Sequence, residues 1–149
     1  MKVPPPVYAL AAVALMWLLD KKYPVLETTQ QWPMIVGGVL ILVGILIDVL
    51  SIVQFRQART TVNPLRPETS STLVTSGFYA HSRNPMYVGL LFSLVGVTLL
   101  LRSLTPLLVL PLFVLIVTML QILPEEKALA TIFGEEFQYY KQRVPRWLW

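Results

Sequence analysis

Long apolar runs separated by short polar stretches dominate the chain. Four stand out, at about 7–19, 33–53, 85–101 and 106–123. The second is long enough, at ~1.5 Å per helical residue, to cross a ~30 Å hydrocarbon core. The first is short and closes on Asp20, Lys21 and Lys22. No small-residue cleavage pattern comes after it, and Pro4 to Pro6 make a poor n-region, so it reads as a retained helix rather than a signal peptide. Only the stretch from Arg102 to Thr105 separates the last two runs, which therefore form an antiparallel hairpin. The pattern predicts an all-α membrane protein of about four transmembrane helices, a single integral membrane domain over 1–149. Beyond the C-terminal hairpin, Phe133, Phe137, Tyr140 and Val144 recur at helical spacing with charges opposite, which predicts an amphipathic helix in the cytoplasmic interface.

Composition agrees with this reading. Hydrophobic residues make up 55% of the chain and charged residues 13%, against about 25% charged in soluble domains. The net charge of +4 and pI near 9.6 would suit nucleic acid, but the basic residues sit between apolar blocks, as in the loops of membrane proteins. Arg56, Arg59, Arg66 and Arg83 lie between the second and third runs, and Lys127, Lys141, Arg143 and Arg146 come after the fourth. Only Lys21, Lys22 and Arg102 lie on the other side. By the positive-inside rule the 54–84 segment and both termini are cytoplasmic; small size and compact loops point to a bacterial inner membrane. The absence of cysteine excludes disulfides and thiolate chemistry, and a single histidine, His81, excludes imidazole clusters, so no metal site is expected.

The candidate chemistry lies on the cytoplasmic side. The 54–84 segment, with its Ser/Thr run and the Leu73-to-Tyr79 stretch, is too long for a plain connection and reads as a binding loop. Asn84 and Pro85 suit the N-cap and first position of a helix, whose free amides beside Arg83 attract an anion; a capped membrane helix with a snorkelling arginine explains the same residues. After the fourth run come Glu125 and Glu126. Glu125 shares a helical face with Gln121 and Thr118 and suits a site, whereas Glu126 suits the start of a further short helix. Asp48 lies inside the second run on a stripe with Gly37, Gly44 and Ser51, where it either pairs with an arginine of the loop or binds ligand. Gly89, Ser93 and Gly96 make a matching stripe that close helix packing explains.

Three of these elements, in order, resemble the isoprenylcysteine carboxyl methyltransferase family and its phospholipid methyltransferase relatives. They are Leu73 to Tyr79 leading into Arg83 to Gly89, an apolar hairpin, and Glu125-Glu126 succeeded by Phe133 to Phe137 and Tyr140 to Pro145, over about 70–146. The resemblance implies an integral membrane methyltransferase that uses S-adenosyl-L-methionine without a dinucleotide-binding fold; the chain has no Gly-x-Gly-x-x-Gly loop. It implies cofactor contacts from Ser71, Thr72, Leu73, Val74, Tyr79, Asn84, Pro85, Met86, Tyr87 and Glu125, and a reaction centre at Arg83, Tyr87 and Glu125. Arg83 and the helix start at Asn84 would hold the methionine carboxylate, Glu125 the ammonium or ribose hydroxyls. A lipophilic or lipid acceptor would enter from the bilayer and meet Gln121. Two positions depart from the family pattern: Asn84 stands where the family usually has histidine, and Gln121 where eukaryotic prenylcysteine enzymes have arginine. The competing readings are a nicotinamide-dependent membrane reductase of steroid-reductase type, with the arginines on its pyrophosphate, and a noncatalytic membrane scaffold.

Overall fold

The structure is a computed structural model and describes residues 3–57 and 72–148. The described residues are all helical or irregular, without strands. Helix α1 spans Pro5–Lys22, α2 Trp32–Gln57, α3 Pro85–Leu101, α4 Val109–Val117 and α5 Leu123–Arg143. Single 3₁₀ turns at Gly77–Ala80 and Thr105–Leu108 precede α3 and α4. Prolines set several starts: Pro5 and Pro85 occupy the first turn of α1 and α3, where a missing N–H removes no helical bond.

Helices α2 and α3 pack antiparallel through the two small-residue stripes. Gly37 faces Gly96 and Gly44 faces Gly89; a Cβ added at Gly37 would lie 2.6 Å from the Gly96 carbonyl, and one at Gly96 2.6 Å from that of Gly37. Backbones this close require that neither helix carry a side chain there, the geometry of small-residue helix pairs in membranes. Helix α1 packs on α3 and α4, where Met16, Leu94, Val117 and Ile122 are almost fully buried. The outward faces are apolar: Leu10, Ile35, Leu42, Leu46, Leu115 and Met119 are all exposed. Two helical stretches, Trp32–Gln57 and Thr105–Arg143, are long and apolar enough to cross a membrane, and Pro85–Leu101 is apolar but shorter.

One end of the bundle is closed by backbone hydrogen bonds between two connections. Thr28 N donates to Arg102 O (3.1 Å), Leu104 N to Val25 O (2.9 Å), and the Thr105 hydroxyl to Tyr23 O. The turn is made by Arg102, which ends α3 in the left-handed region (φ 57°).

The hairpin differs from the sequence expectation in one respect. The fourth run does not stop and let Glu125 and Glu126 begin a separate helix; α4 continues into α5 through a π turn at Thr118–Ile122. Pro124 has no N–H for the carbonyl one turn back, and the wider π hydrogen-bonding absorbs the gap without a break. Thr118, Gln121 and Glu125 meet different partners: Trp147 for Thr118, Val3 and Tyr8 for Gln121, and Tyr87 for Glu125. Helix α5 then kinks at Gly134 (φ 49°, ψ −119°), a conformation that favours glycine. Past the kink, Phe137, Tyr140 and Val144 are buried together with Leu73, Leu129 and Phe133 against them, as the helical spacing predicts.

The glycine register gives a direct test. Gly96→Ala is expected to cost about 1–3 kcal/mol, the usual range for overpacking. Gly38→Ala meets nothing within 4 Å and should be neutral or gain up to about 1 kcal/mol from helix propensity. In detergent, Gly96→Ala should lower the thermal midpoint and Gly38→Ala leave it unchanged or raise it; equal shifts would contradict this register.

Candidate active site

The opposite end of the bundle gathers the first turn of α3, the first turn of α5, the 3₁₀ turn and the C-terminal tail. Glu126 lies at their meeting point with a side chain 9% exposed. Arg83 reaches Oε1 through NH2 at 2.9 Å, and Arg146 binds both oxygens, Nε to Oε1 at 3.0 Å and NH2 to Oε2 at 2.8 Å. A carboxylate held by two guanidinium groups is a strong, directional anchor. Burial pushes the Glu126 carboxyl upward, but the Arg146 hydrogen bond and the Arg83 charge outweigh it and hold the group below the ordinary carboxylate value.

Backbone contacts extend this anchor. Arg83 N donates to Pro145 O (2.9 Å), and Arg83 NH1 to Lys141 O (3.2 Å) in the last turn of α5. Asn84 stands at the N-cap position of α3, but its side chain makes no cap bond. Nδ2 donates instead to Arg146 O (2.9 Å), and Ser82 Oγ donates to the same carbonyl while accepting from Asn84 N. Trp147 Nε1 reaches Thr118 Oγ1 in the π turn (3.2 Å). The tail is thereby strapped across the entrance of α3.

Beside the strap, Tyr87 donates its hydroxyl to Glu125 Oε1 at 2.9 Å. Tyr87 is buried, and Tyr8 and Tyr79 lie within electrostatic reach of it. Tyr79 packs edge-on against Phe55 (4.9 Å between ring centroids), and its carbonyl accepts from the Tyr140 hydroxyl at 2.6 Å. Burial, reinforced by Tyr140, Glu125 and Asp48, drives the Tyr79 phenol far above its ordinary value, so it stays a protonated donor.

The residues singled out from sequence divide between this end and other places. Tyr79, Arg83, Asn84, Pro85, Tyr87 and Glu125 come together here, and Met86 is half-buried in the first turn of α3. Val74 is buried and Leu73 packs on the Phe137 cluster, whereas Thr72 is exposed. Ser71, Arg59 and Arg66 lie outside the described residues. Gln121 is buried in the π turn with Nε2 donating to Val3 O (2.9 Å) and Tyr8 Oη (3.2 Å). His81 is exposed. Asp48, expected either to pair with an arginine of the loop or to bind ligand, leaves Oδ1 buried without a hydrogen-bond partner among the described residues. Sequence reasoning missed Ser82, Arg146 and Trp147, and it left Glu126 to a helix start. The signal available for these was the Pro145-Arg146-Trp147 ending, a cation and an indole too close to a membrane boundary to be idle.

A family model described as phospholipid methyltransferase matches residues 32–136, and the chain belongs to that methyltransferase family. The protein-S-isoprenylcysteine O-methyltransferase of Schizosaccharomyces pombe is 30% identical over 95 residues, which are 64% of this chain and 40% of that relative. The chain thus spans well under half of that relative's length. An uncharacterized protein of Haemophilus influenzae is 41% identical over 63 residues, 42% of this chain and 100% of that protein. No solved structure matches significantly.

Because the folded state holds Glu126 at a depressed pKa, its contribution is full above the unfolded carboxyl value near 4.3 and is lost as pH falls through the folded value. Glu126→Gln should free the strap at neutral pH, leaving two arginines facing an amide. Trypsin cleavage after Lys141 and Arg143 is then expected to accelerate at least about tenfold, as for loss of one strong ion pair. Unchanged cleavage would remove Glu126 from the anchor.

Proposed function

We propose that this protein is an S-adenosyl-L-methionine-dependent methyltransferase acting on a lipophilic acceptor at the cytoplasmic face of a membrane. The observation that carries the reading is the Tyr87–Glu125 hydrogen bond. In a member of the phospholipid methyltransferase family, it joins the start of α3 to the start of α5. The topology we adopt has four spans, at about 7–19, 33–53, 85–101 and 106–123, with both termini cytoplasmic, the catalytic half over about 70–146, and the bacterial inner membrane as its site. The distribution of lysine and arginine supports that orientation.

The residues present suit this cofactor. Glu125 presents a carboxyl group beside Tyr87, able to accept from ribose hydroxyls or an ammonium. Arg83 Nε is buried without a partner, a donor suited to a carboxylate, although the two NH groups of the same side chain serve Glu126 and Lys141 O. Tyr79 and Tyr87 offer buried rings for an adenosine, and Leu73 and Val74 offer backbone groups for its edge. The cofactor would supply an activated methyl group on a sulfonium that leaves as a neutral thioether. The chain's own part is to align the acceptor, exclude water and hold Glu125 in one orientation through Tyr87. The reductase alternative is weakened because Arg83, one of its pyrophosphate candidates, is bound to Glu126.

Glu125→Gln is expected to fold, and its affinity for S-adenosyl-L-methionine should fall at least about tenfold, the loss of a charge-assisted hydrogen bond. Equilibrium binding to the purified protein reads this; unchanged affinity would take Glu125 out of the site.

A further inference from the structure

The turn that carries Tyr79 is fixed from outside itself. Gly77–Ala80 is a single 3₁₀ turn, and the Ser76 side chain at its N-cap makes no cap bond. The first N–H groups of a helical turn have no partner within it. Phe78 N, one of these, donates to Gln54 Oε1 at 3.3 Å, a contact 24 positions apart in the chain. A side chain near the end of α2 thus serves as the cap of a turn to which it does not belong.

Gly77 makes that contact possible. Its φ is 60°, a conformation that favours glycine, and a Cβ there would overlap the Gln54 amide. The amide therefore lies directly on the backbone of the turn. The next residue of α2, Phe55, meets the Tyr79 ring edge-on, with 4.9 Å between ring centroids. From α5, the Tyr140 hydroxyl donates to Tyr79 O at 2.6 Å. Tyr79 is 4% exposed, so two neighbours on α2 and one on α5 hold a buried ring in one place. That place lies within electrostatic reach of Glu125 and Tyr87.

We propose that Gln54 is a positioning residue for the methyl donor: by capping the Gly77–Ala80 turn from α2, it sets the place of the Tyr79 ring beside the Tyr87–Glu125 pair. This rests on the functional reading above, in which that ring packs against the adenosine. Gln54 itself touches neither donor nor acceptor and acts through Tyr79. A misplacement of a fraction of an ångström weakens a bound ligand, and one 3₁₀ turn without a cap of its own has little internal means to resist it. The group that matters is the acceptor oxygen. Leucine matches glutamine closely in size but has no acceptor, whereas glutamate keeps one.

The test is equilibrium binding of S-adenosyl-L-methionine to the detergent-purified chain as wild type, Gln54→Leu, Gln54→Glu, Tyr79→Leu and the Gln54→Leu/Tyr79→Leu double variant. Gln54→Leu should bind at least about fivefold more weakly, the loss of one hydrogen bond. Its thermal midpoint should stay within about 4 °C of the wild type. Gln54→Glu should keep its affinity within about twofold. In the Tyr79→Leu background, Gln54→Leu should cost less than about twofold more, because its effect passes through that ring. Unchanged affinity in Gln54→Leu overturns the proposal, as does an equal loss in Gln54→Glu or a loss that persists in full without the Tyr79 ring. A midpoint that falls well beyond that limit assigns Gln54 to the fold alone and overturns it too. Should Tyr79→Leu fail to fold or bind too weakly to titrate, the two Gln54 variants decide by themselves. A wild type that binds S-adenosyl-L-methionine while Gln54→Leu binds it equally well sinks this inference alone, whereas a wild type that binds none sinks the functional reading and this inference with it.

Discussion

One carboxylate organises the strapped end of this protein. Glu126, held by Arg83 and Arg146, joins three segments that the chain keeps far apart: the loop before α3, the first turn of α5 and the C-terminal tail. Removing one partner of a buried ion pair typically costs about 3–5 kcal/mol, because the remaining charge is stranded in a poor solvent. Here a single anion faces two cations, and its loss would fall chiefly on Arg83, 9% exposed, since Arg146 at 34% can be hydrated. The strap over Ser82 and Asn84 depends on this anchor, and so does the approach of Tyr87 to Glu125, since each is a near neighbour in sequence of a clamped residue.

The anchor can hold because the rest of the bundle is rigid. The glycine pairs on α2 and α3 set one register, and the backbone bonds between the 23–28 and 102–105 connections close the far end. The near end can then carry features that weaken ordinary helices. It has a π turn, a glycine kink and buried polar atoms without partners, the kind of irregularity that collects at functional sites. Such local departures from regularity are tolerable only on a scaffold fixed elsewhere.

Much of this was legible in the residues. The 33–53 and 85–101 runs lie inside α2 and α3 almost residue for residue, because apolar length bounded by proline and charge leaves little freedom. The two small-residue stripes were visible as periodicity, and the structure makes them each other's partner. Phe137, Tyr140 and Val144 fall on one buried face for the same reason. What the sequence hid was long-range pairing. Helical spacing set Glu125 apart from Glu126, but nothing local marks Glu126 as the acid that two distant arginines anchor. Asn84 reads as a cap, yet its side chain serves the tail, a contact 62 positions away. Asp48 reads as half of an ion pair or as a ligand contact, and its buried Oδ1 has no hydrogen-bond partner among the described residues.

In a chain of the phospholipid methyltransferase family, the reading proposed above brings a cationic methyl donor from water and an amphiphile from lipid to the Tyr87–Glu125 pair beside the arginine-clamped strap. The most direct measurement is calorimetric titration of the purified wild-type chain in detergent with S-adenosyl-L-methionine and, in parallel, with a reduced nicotinamide dinucleotide. Saturable binding of the sulfonium compound, with none of the dinucleotide, is the result this account predicts. Binding of the dinucleotide alone, or of neither, would contradict it.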